Sequence, residues 1–197
     1  MFIDKTDKET ILKPLQVVIG IVERKQALPI LSNVLIEKEP GNIRFTATDL
    51  EIQITTSIEG KAGDGETSAI TVGGKKIQEI LRILPDQSKI SIEAKENKAQ
   101  IKSAKSRFSL QTLPAQDFPK LSNQLAGAKK ITLGQSALKK LLLSVQYAMA
   151  QQDVRYYLNG VLLIVEGNKL KVVATDGHRL AFNAGIIDGK HERQEII

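Results

Sequence analysis

The sequence predicts an α+β fold built from repeated βαβββ units, with helices carried on one face of antiparallel sheets. Three observations predict it. Apolar residues recur at three- and four-residue spacing in three separate stretches, which is the period of a helix. Between those stretches lie short runs in which β-branched and aromatic residues alternate with polar ones, which is the period of a strand. Finally, residues 33–49, NVLIEKEPGNIRFTATD, align without a gap with residues 160–176, GVLLIVEGNKLKVVATD, and share Val34, Leu35, Ala47, Thr48 and Asp49 with them. A repeat this long indicates duplicated domains rather than a short-repeat solenoid.

The elements follow in order. Phe2 to Lys5 reads as a strand, and Thr6-Asp7-Lys8-Glu9 has the spacing of a capping box. The helix it opens carries Ile11, Leu12, Leu15, Val18, Ile19 and Val22 on one face, and Pro14 should bend it or shift its start. Ile30–Glu37, Ile43–Thr48 and Leu50–Ile58 are three strands, separated by Pro40-Gly41-Asn42 and by a tight break at Asp49. A polar loop over 60–66 leads to a strand at Ser68–Val72. A helix over Gly74–Leu84 follows, striped by Ile77, Ile80, Leu81 and Leu84, then strands at Lys89–Glu93, Ala99–Ser103 and Phe108–Thr112. The βαβββ order has then occurred twice. From Leu113 to Ala128 periodicity lapses around Pro114 and Pro119, which reads as a linker, so the domains are placed at 1–125 and 126–197. Ile131–Leu133 starts a third unit, whose helix over Gln135–Met149 buries Leu138, Leu141, Leu142 and Val145. The chain stops before this unit matches the first domain's length, so residues 185–197 are expected to be loosely held.

Composition narrows the function classes. With 197 residues, 42% of them hydrophobic, the chain can build one large or two small cores, and disorder is disfavoured. It has no cysteine, so disulfides, thiolate metal sites and thiol nucleophiles are excluded. MFIDKTDKET lacks the apolar core of a secretory signal, and no apolar run is long enough to span a membrane, so a soluble, cytoplasmic protein is expected. The net charge is +6, an excess that matters only where it clusters. It clusters on the non-apolar faces of the three helices: Lys8 and Lys13, then Lys75, Lys76 and Arg82, then Lys139 and Lys140. Such faces either meet phosphates without reading sequence or are ordinary solvated surfaces.

The densest stretch is DVRYYLNGVLLIVEGNKLKVVATDGHRL, residues 153–180. Its β-rich runs YYLNGVLLIVEG and KLKVVAT flank turn chemistry at Gly167-Asn168-Lys169, which reads as a hairpin, and Asp176-Gly177 is a second turn. Arg179 and Leu180 beside that glycine suit an extended peptide offering a carboxylate and an apolar anchor. The plainer alternative makes Leu180 core and Arg179 a solvated charge.

Enzyme readings find little support. His178 and His191 lack the spacing and the acidic neighbours of a metal site or triad. Gly73-Gly74-Lys75-Lys76 lacks the earlier glycine and the Ser or Thr of a phosphate loop. Asp49 and Asp176 occupy equivalent repeat positions at strand breaks and read as turn residues rather than a nuclease cluster.

Several strings resemble one family. TLPAQDFP (112–119), QDVRYYLNG (152–160), ATDGHRLA (174–181), SRFSLQTLP (106–114), LPIL (28–31) and TATDLEI (46–52) are similar, at the expected spacings, to the bacterial DNA polymerase III beta subunits, the sliding clamps. The resemblance covers the whole chain. It implies the DNA-clamp fold, in which three-domain subunits form a head-to-tail homodimeric ring with helices lining a central hole. Residues 1–125 would then be the first domain and 126–197 the first half of the second.

The resemblance implies a non-catalytic processivity factor that needs no cofactor or metal. It would encircle double-stranded DNA and tether the polymerase III catalytic subunit, the clamp loader and other proteins carrying a clamp-binding peptide. By resemblance, Arg24 and Lys25 contact DNA, although this loop departs from the family's glycine-rich version, and Gln152, Tyr156 and Tyr157 match positions near DNA. For at least one of those tyrosines, core packing or hairpin pairing is the plainer alternative. Lys75, Lys76, Arg82, Lys139 and Lys140 join them through the helix-face argument. The partner-peptide groove maps to Arg155, Leu158, Thr175, Gly177, His178, Arg179 and Leu180, with its other wall in the third domain. The competing function is a basic peptide-binding adaptor that forms no ring.

Overall fold

The computed structural model describes residues 2–22, 28–59, 67–121 and 130–196. Contacts divide the chain into two units, Met1–Asn123 and Gln124–Ile197. The sequence-based boundary at 125/126 and the loop holding Arg24 and Lys25 lie outside the described residues.

In the first unit one βαβββ half comprises β1 (Ile3–Asp7), α1 (Lys8–Val18), β2 (Asn33–Glu39), β3 (Asn42–Thr48) and β4 (Gln53–Glu59). The other comprises β5 (Ser68–Gly73), α2 (Gly74–Ile83), β6 (Lys89–Lys95), β7 (Lys98–Ser103) and β8 (Ser106–Gln111). The halves exchange their leading strands. The two antiparallel sheets run β1-β6-β7-β8 and β4-β3-β2-β5, so β1 is held by the second half and β5 by the first. Because of this exchange neither half closes its own core. Ile11, Leu15 and Val18 of α1, Ile77 and Leu81 of α2, Phe45 of β3 and Ile101 of β7 belong to one continuous apolar cluster.

Local chemistry moves several boundaries. The capping box does not form: Thr6 Oγ1 donates to the Asp4 carbonyl at 3.2 Å, and the Asp7 carboxylate is drawn across the sheet to Lys89 at 2.8 Å. Pro14 neither ends α1 nor moves its start, and its ring is buried. Leu50–Ile52, expected to be strand, forms a turn instead, with Leu50 at φ 82°. The supposed linker is packed through Leu121. Phe118 is buried, and Thr71 Oγ1 donates to the Leu113 carbonyl at 2.7 Å while accepting the Leu113 amide and Asn33 Nδ2. That saturates the hydroxyl.

Lys8 is the clearest departure. Placed by periodicity on the outer face of α1, it is 3% exposed, and its Nζ donates to the Leu84 carbonyl at 3.0 Å and to Asp86 at 2.9 Å. The ammonium holds the Asp86 carboxyl below its ordinary value. A long side chain can turn its charge back to cap the end of a neighbouring helix, which spacing alone does not reveal. Lys8→Met should lower the unfolding free energy by about 1–3 kcal/mol, because the Leu84 carbonyl loses its partner. Urea denaturation followed by far-UV circular dichroism measures this loss.

The second unit packs α3 (Gln135–Val145) on β9 (Leu162–Thr175) and β10 (Leu180–Ile196). Leu141, Val145, Leu170, Val172 and Ala181 form its core. Gly185 allows the close approach: a Cβ there would lie 2.9 Å from Leu141 Cδ1. The helix ends four residues early, at Val145, and passes into a 3₁₀ turn over Gln146–Ala148. Residues 131–133 form no strand. Their counterpart β1 is held by β6 of the other half, and no strand of the second unit among the described residues offers that pairing.

The expected turn at Gly167 lies within the β9 run, where Gly167 has φ 60°. The register against β10 changes there: Lys169 opposes Ile186, whereas Gly167 opposes His191. The stretch after Gly185, expected to be loose, remains paired to Ile196 opposite Leu163.

Candidate functional site

The Thr-Asp pair that revealed the repeat builds the same loop twice. In the first unit Thr48 Oγ1 donates to the Ile52 carbonyl and accepts the Leu50 amide, while Asp49 Oδ1 accepts the amides of Glu51 and Ile52. In the second, Thr175 Oγ1 donates to the Arg179 carbonyl and accepts the Gly177 amide, while Asp176 Oδ1 accepts the amides of His178 and Arg179. The third residue has positive φ in both, 82° at Leu50 and 89° at Gly177. Glycine removes the strain that leucine carries at this position. It also makes room: a Cβ on Gly177 would lie 3.3 Å from Arg155 Nη2.

Arg155 arrives from a loop that the sequence reads as strand. Tyr156–Leu158 is a 3₁₀ turn, because Asn159 closes the loop. Asn159 Oδ1 accepts the Asp153 amide and its Nδ2 donates to the Asp153 carbonyl, both at 2.9 Å. The Asp153 carboxylate then accepts the Arg155 amide at 2.8 Å, Nε at 3.0 Å and Nη2 at 2.9 Å. Arg155 Nη2 also reaches the Asp176 carbonyl at 3.5 Å, which ties this loop to the Thr-Asp loop. Arg179 Nε donates to Asp176 Oδ2 at 3.0 Å, and its guanidinium lies 5.8 Å from the Tyr147 ring centroid. The hydrogen bonds from Arg155 hold the Asp153 carboxyl at about 2. The backbone amides of Arg179 and His178 hold Asp176 at about 2. Both are ionised at any pH near neutrality.

The structure brings together most of the sequence-assigned groove. Arg155, His178 and Arg179 line a polar hollow of about 640 Å³, which Gln152 also borders. Thr175 and Gly177 form the loop beneath, and the Leu158 carbonyl accepts the Ala150 amide at 3.0 Å. Leu180 is 65% exposed, so it is not core, and Phe182 two residues along β10 is exposed as well. Asp176 takes Arg179 Nε, which leaves the Nη1 and Nη2 end of the guanidinium to meet a peptide carboxylate.

Tyr156 and Tyr157 are both exposed and meet edge to face at 5.9 Å, which removes the alternative of core packing. Gln152 is exposed, with φ 58°. Lys76 and Arg82 on α2 and Lys139 and Lys140 on α3 are exposed, and Lys75 is half-buried. Among the described residues none of these five forms an ion pair. Several basic side chains on the sheets and their flanks do: Arg44 with Glu39, Lys89 with Asp7, Lys102 with Glu93, Lys120 with Glu37 and Lys171 with Glu166. Sequence reasoning passes over Tyr147, Asp153 and Asn159 and sees Asp176 only as a turn residue. The Asp-x-Arg spacing of 153–155 was the available signal.

Among the described residues no group of three or more His, Cys, Asp or Glu side chains could hold a metal ion. No described helix is long and apolar enough to cross a membrane.

Comparison with known proteins agrees with this geometry. Residues 4–122 match the DNA polymerase III beta subunit, N-terminal domain, and residues 132–197 match the DNA polymerase III beta subunit, central domain. The beta sliding clamp of Pseudomonas aeruginosa is 48% identical over 176 residues, covering 88% of this chain and 47% of that protein. The Escherichia coli beta sliding clamp is 42% identical over 175 residues, covering 89% and 47%. The crystal structure of the DNA polymerase III subunit beta from Pseudomonas aeruginosa superimposes with a TM-score of 0.90 at 41% identity, over 97% of this chain and 52% of that one. The chain therefore spans about half the length of these relatives. With both matched regions, the shared α+β clamp fold and this level of identity, the chain belongs to the DNA polymerase III beta subunit family, the bacterial beta sliding clamps.

Proposed function

We propose that the full-length protein carrying this chain is a DNA replication processivity factor: a head-to-tail homodimeric ring that encircles duplex DNA without reading its sequence. It tethers the polymerase III catalytic subunit, the clamp loader and other partners by short peptides, and any polymerase or nuclease activity belongs to those partners. The observation that carries the reading is the division of cations. Several on the sheets and their flanks, Arg44, Lys89, Lys102, Lys120 and Lys171, are matched by carboxylates, whereas all five on α2 and α3 have no acidic partner among the described residues and lie together on helix faces. Helices that rest on sheets through an apolar stripe and keep unpaired cations on the other side suit contact with phosphate, which is the same for every sequence and allows sliding.

In this reading Lys75, Lys76, Arg82, Lys139 and Lys140, with Arg24, Lys25, Gln152, Tyr156 and Tyr157, face DNA. Arg155, Leu158, Thr175, Gly177, His178, Arg179 and Leu180 form one wall of the peptide groove. The exposed apolar side chains of Leu180 and Phe182 beside the Thr-Asp loop support an apolar anchor there. The test is primer extension on a singly primed circular template with polymerase and clamp loader. Adding the full-length protein should lengthen the products of single binding events many-fold. Unchanged product length would refute the processivity role and favour an adaptor that forms no ring.

A further inference from the structure

We propose that Asn159 is a positioning residue for the peptide edge: acting through Asp153 and Arg155, it fixes the turn at Gly177 from which Arg179 and Leu180 extend. The proposal rests on the reading of this edge as a peptide groove, and it adds a residue whose side chain is spent on its own loop.

A side-chain amide carries a donor and an acceptor in one plane, as a peptide group does. Asn159 uses both on a single residue: Oδ1 accepts the Asp153 amide and Nδ2 donates to the Asp153 carbonyl, each at 2.9 Å. This is the double exchange of a hydrogen-bonded pair in an antiparallel sheet, made here by a side chain within a loop. The Asp153 backbone is held at both of its polar groups.

The held residue then aims its carboxylate. Asp153 takes the Arg155 amide at 2.8 Å, Nε at 3.0 Å and Nη2 at 2.9 Å, which fixes the plane of the guanidinium. That plane lies against Gly177. A Cβ built there would meet Nη2 at 3.3 Å and Nη1 at 3.4 Å, and Nη2 also reaches the Asp176 carbonyl at 3.5 Å. Arg155 is thus a strut beneath a turn that has φ 89° at Gly177 and is otherwise tied by bonds within itself, from Thr175 and Asp176. The loop of the first unit makes the same internal bonds with Leu50 in place of Gly177, and there the side chain is 45% exposed. In the second unit the glycine yields that side of the turn to Arg155.

The first test follows amide hydrogen exchange by NMR in the 197-residue chain. Asn159→Ala should speed exchange of the His178 and Arg179 amides about tenfold, by opening their turn locally, and leave the Glu51 and Ile52 amides of the first unit unchanged. Asn159→Asp keeps the shape and the acceptor and loses only the donor, so it should show the same pattern even where the alanine variant misfolds. Unchanged exchange at His178 and Arg179 would overturn the proposal.

The second test is a double-mutant cycle on the full-length protein, read as binding of the polymerase III catalytic subunit by surface plasmon resonance. Asn159→Ala and Arg155→Ala should each weaken binding about tenfold, the size expected for the loss of one or two net hydrogen bonds. The double variant should bind no worse than Arg155→Ala alone, because Asn159 acts through Arg155. A merely structural asparagine would cost the same with or without the arginine, so additive losses of about a hundredfold would overturn the proposal. Full affinity in Asn159→Ala would do so too. If the unsubstituted protein fails to bind the polymerase, the tethering reading falls, while the exchange measurement still decides whether Asn159 sets the turn.

Discussion

Replacing Lys75, Lys76, Lys139 and Lys140 by alanine in the full-length protein should weaken DNA binding uniformly across sequences and flatten its salt dependence. Each lysine that meets a phosphate contributes about 0.9 to the slope of log K against log salt, so at roughly 0.1 M salt each loss costs about tenfold in affinity. Fluorescence anisotropy of mixed-sequence duplexes over about 50–200 mM salt measures both quantities. The matched control neutralises Lys89, Lys102 and Lys171, which lie 2.8, 2.6 and 2.6 Å from Asp7, Glu93 and Glu166. Those substitutions should leave the slope nearly unchanged. Equal effects from the two sets would mean that net charge, not the helix faces, governs binding.

The second large effect is on stability. Phe45 is fully buried in β3, and its cluster draws on both halves of the first unit because β1 and β5 are exchanged. Phe45→Ala should cost about 3–5 kcal/mol, a loss comparable to much of the roughly 5–15 kcal/mol that holds a typical domain. Urea denaturation should show the whole first unit losing stability in one transition. Ile101→Ala, in the other half, should destabilise that same transition. The exposed Ile83 gives the contrast, since Ile83→Ala should change stability by no more than about 0.5 kcal/mol. Separate transitions for the two halves would contradict the shared core.

Much of this was legible in the sequence, for physical reasons. The stripes of α1, α2 and α3 follow from spacing, and the Thr-Asp repeat encodes a side-chain hydrogen-bonding pattern that recurs bond for bond at Thr48-Asp49 and Thr175-Asp176. The strand exchange was not legible. Alternation at Ile3–Asp7 tells which face is buried but not which strand lies alongside. The turn at Tyr156–Leu158 escaped because β-propensity favours strand there, whereas Asn159 overrides it by closing on Asp153. Lys8 escaped because a flexible charged side chain can fold back to a carbonyl that is 76 residues away in sequence. In the candidate site, the family resemblance located Arg155, and the glycine turn pointed to Arg179, but neither revealed their carboxylate partners. That pairing depends on loop geometry placing Asp153 and Asp176 against them.

The central claim, a ring that holds DNA by topology, is tested most directly by retention on circular and linear DNA. The full-length protein is loaded onto a nicked circular plasmid, and half of the sample is then cut once with a restriction enzyme. Both halves are separated by gel filtration in high salt. The protein should stay with the intact circle and run free from the linear molecule, because salt screens phosphate contacts but cannot open a closed ring. Equal retention on both forms, or equal loss from both, would contradict it.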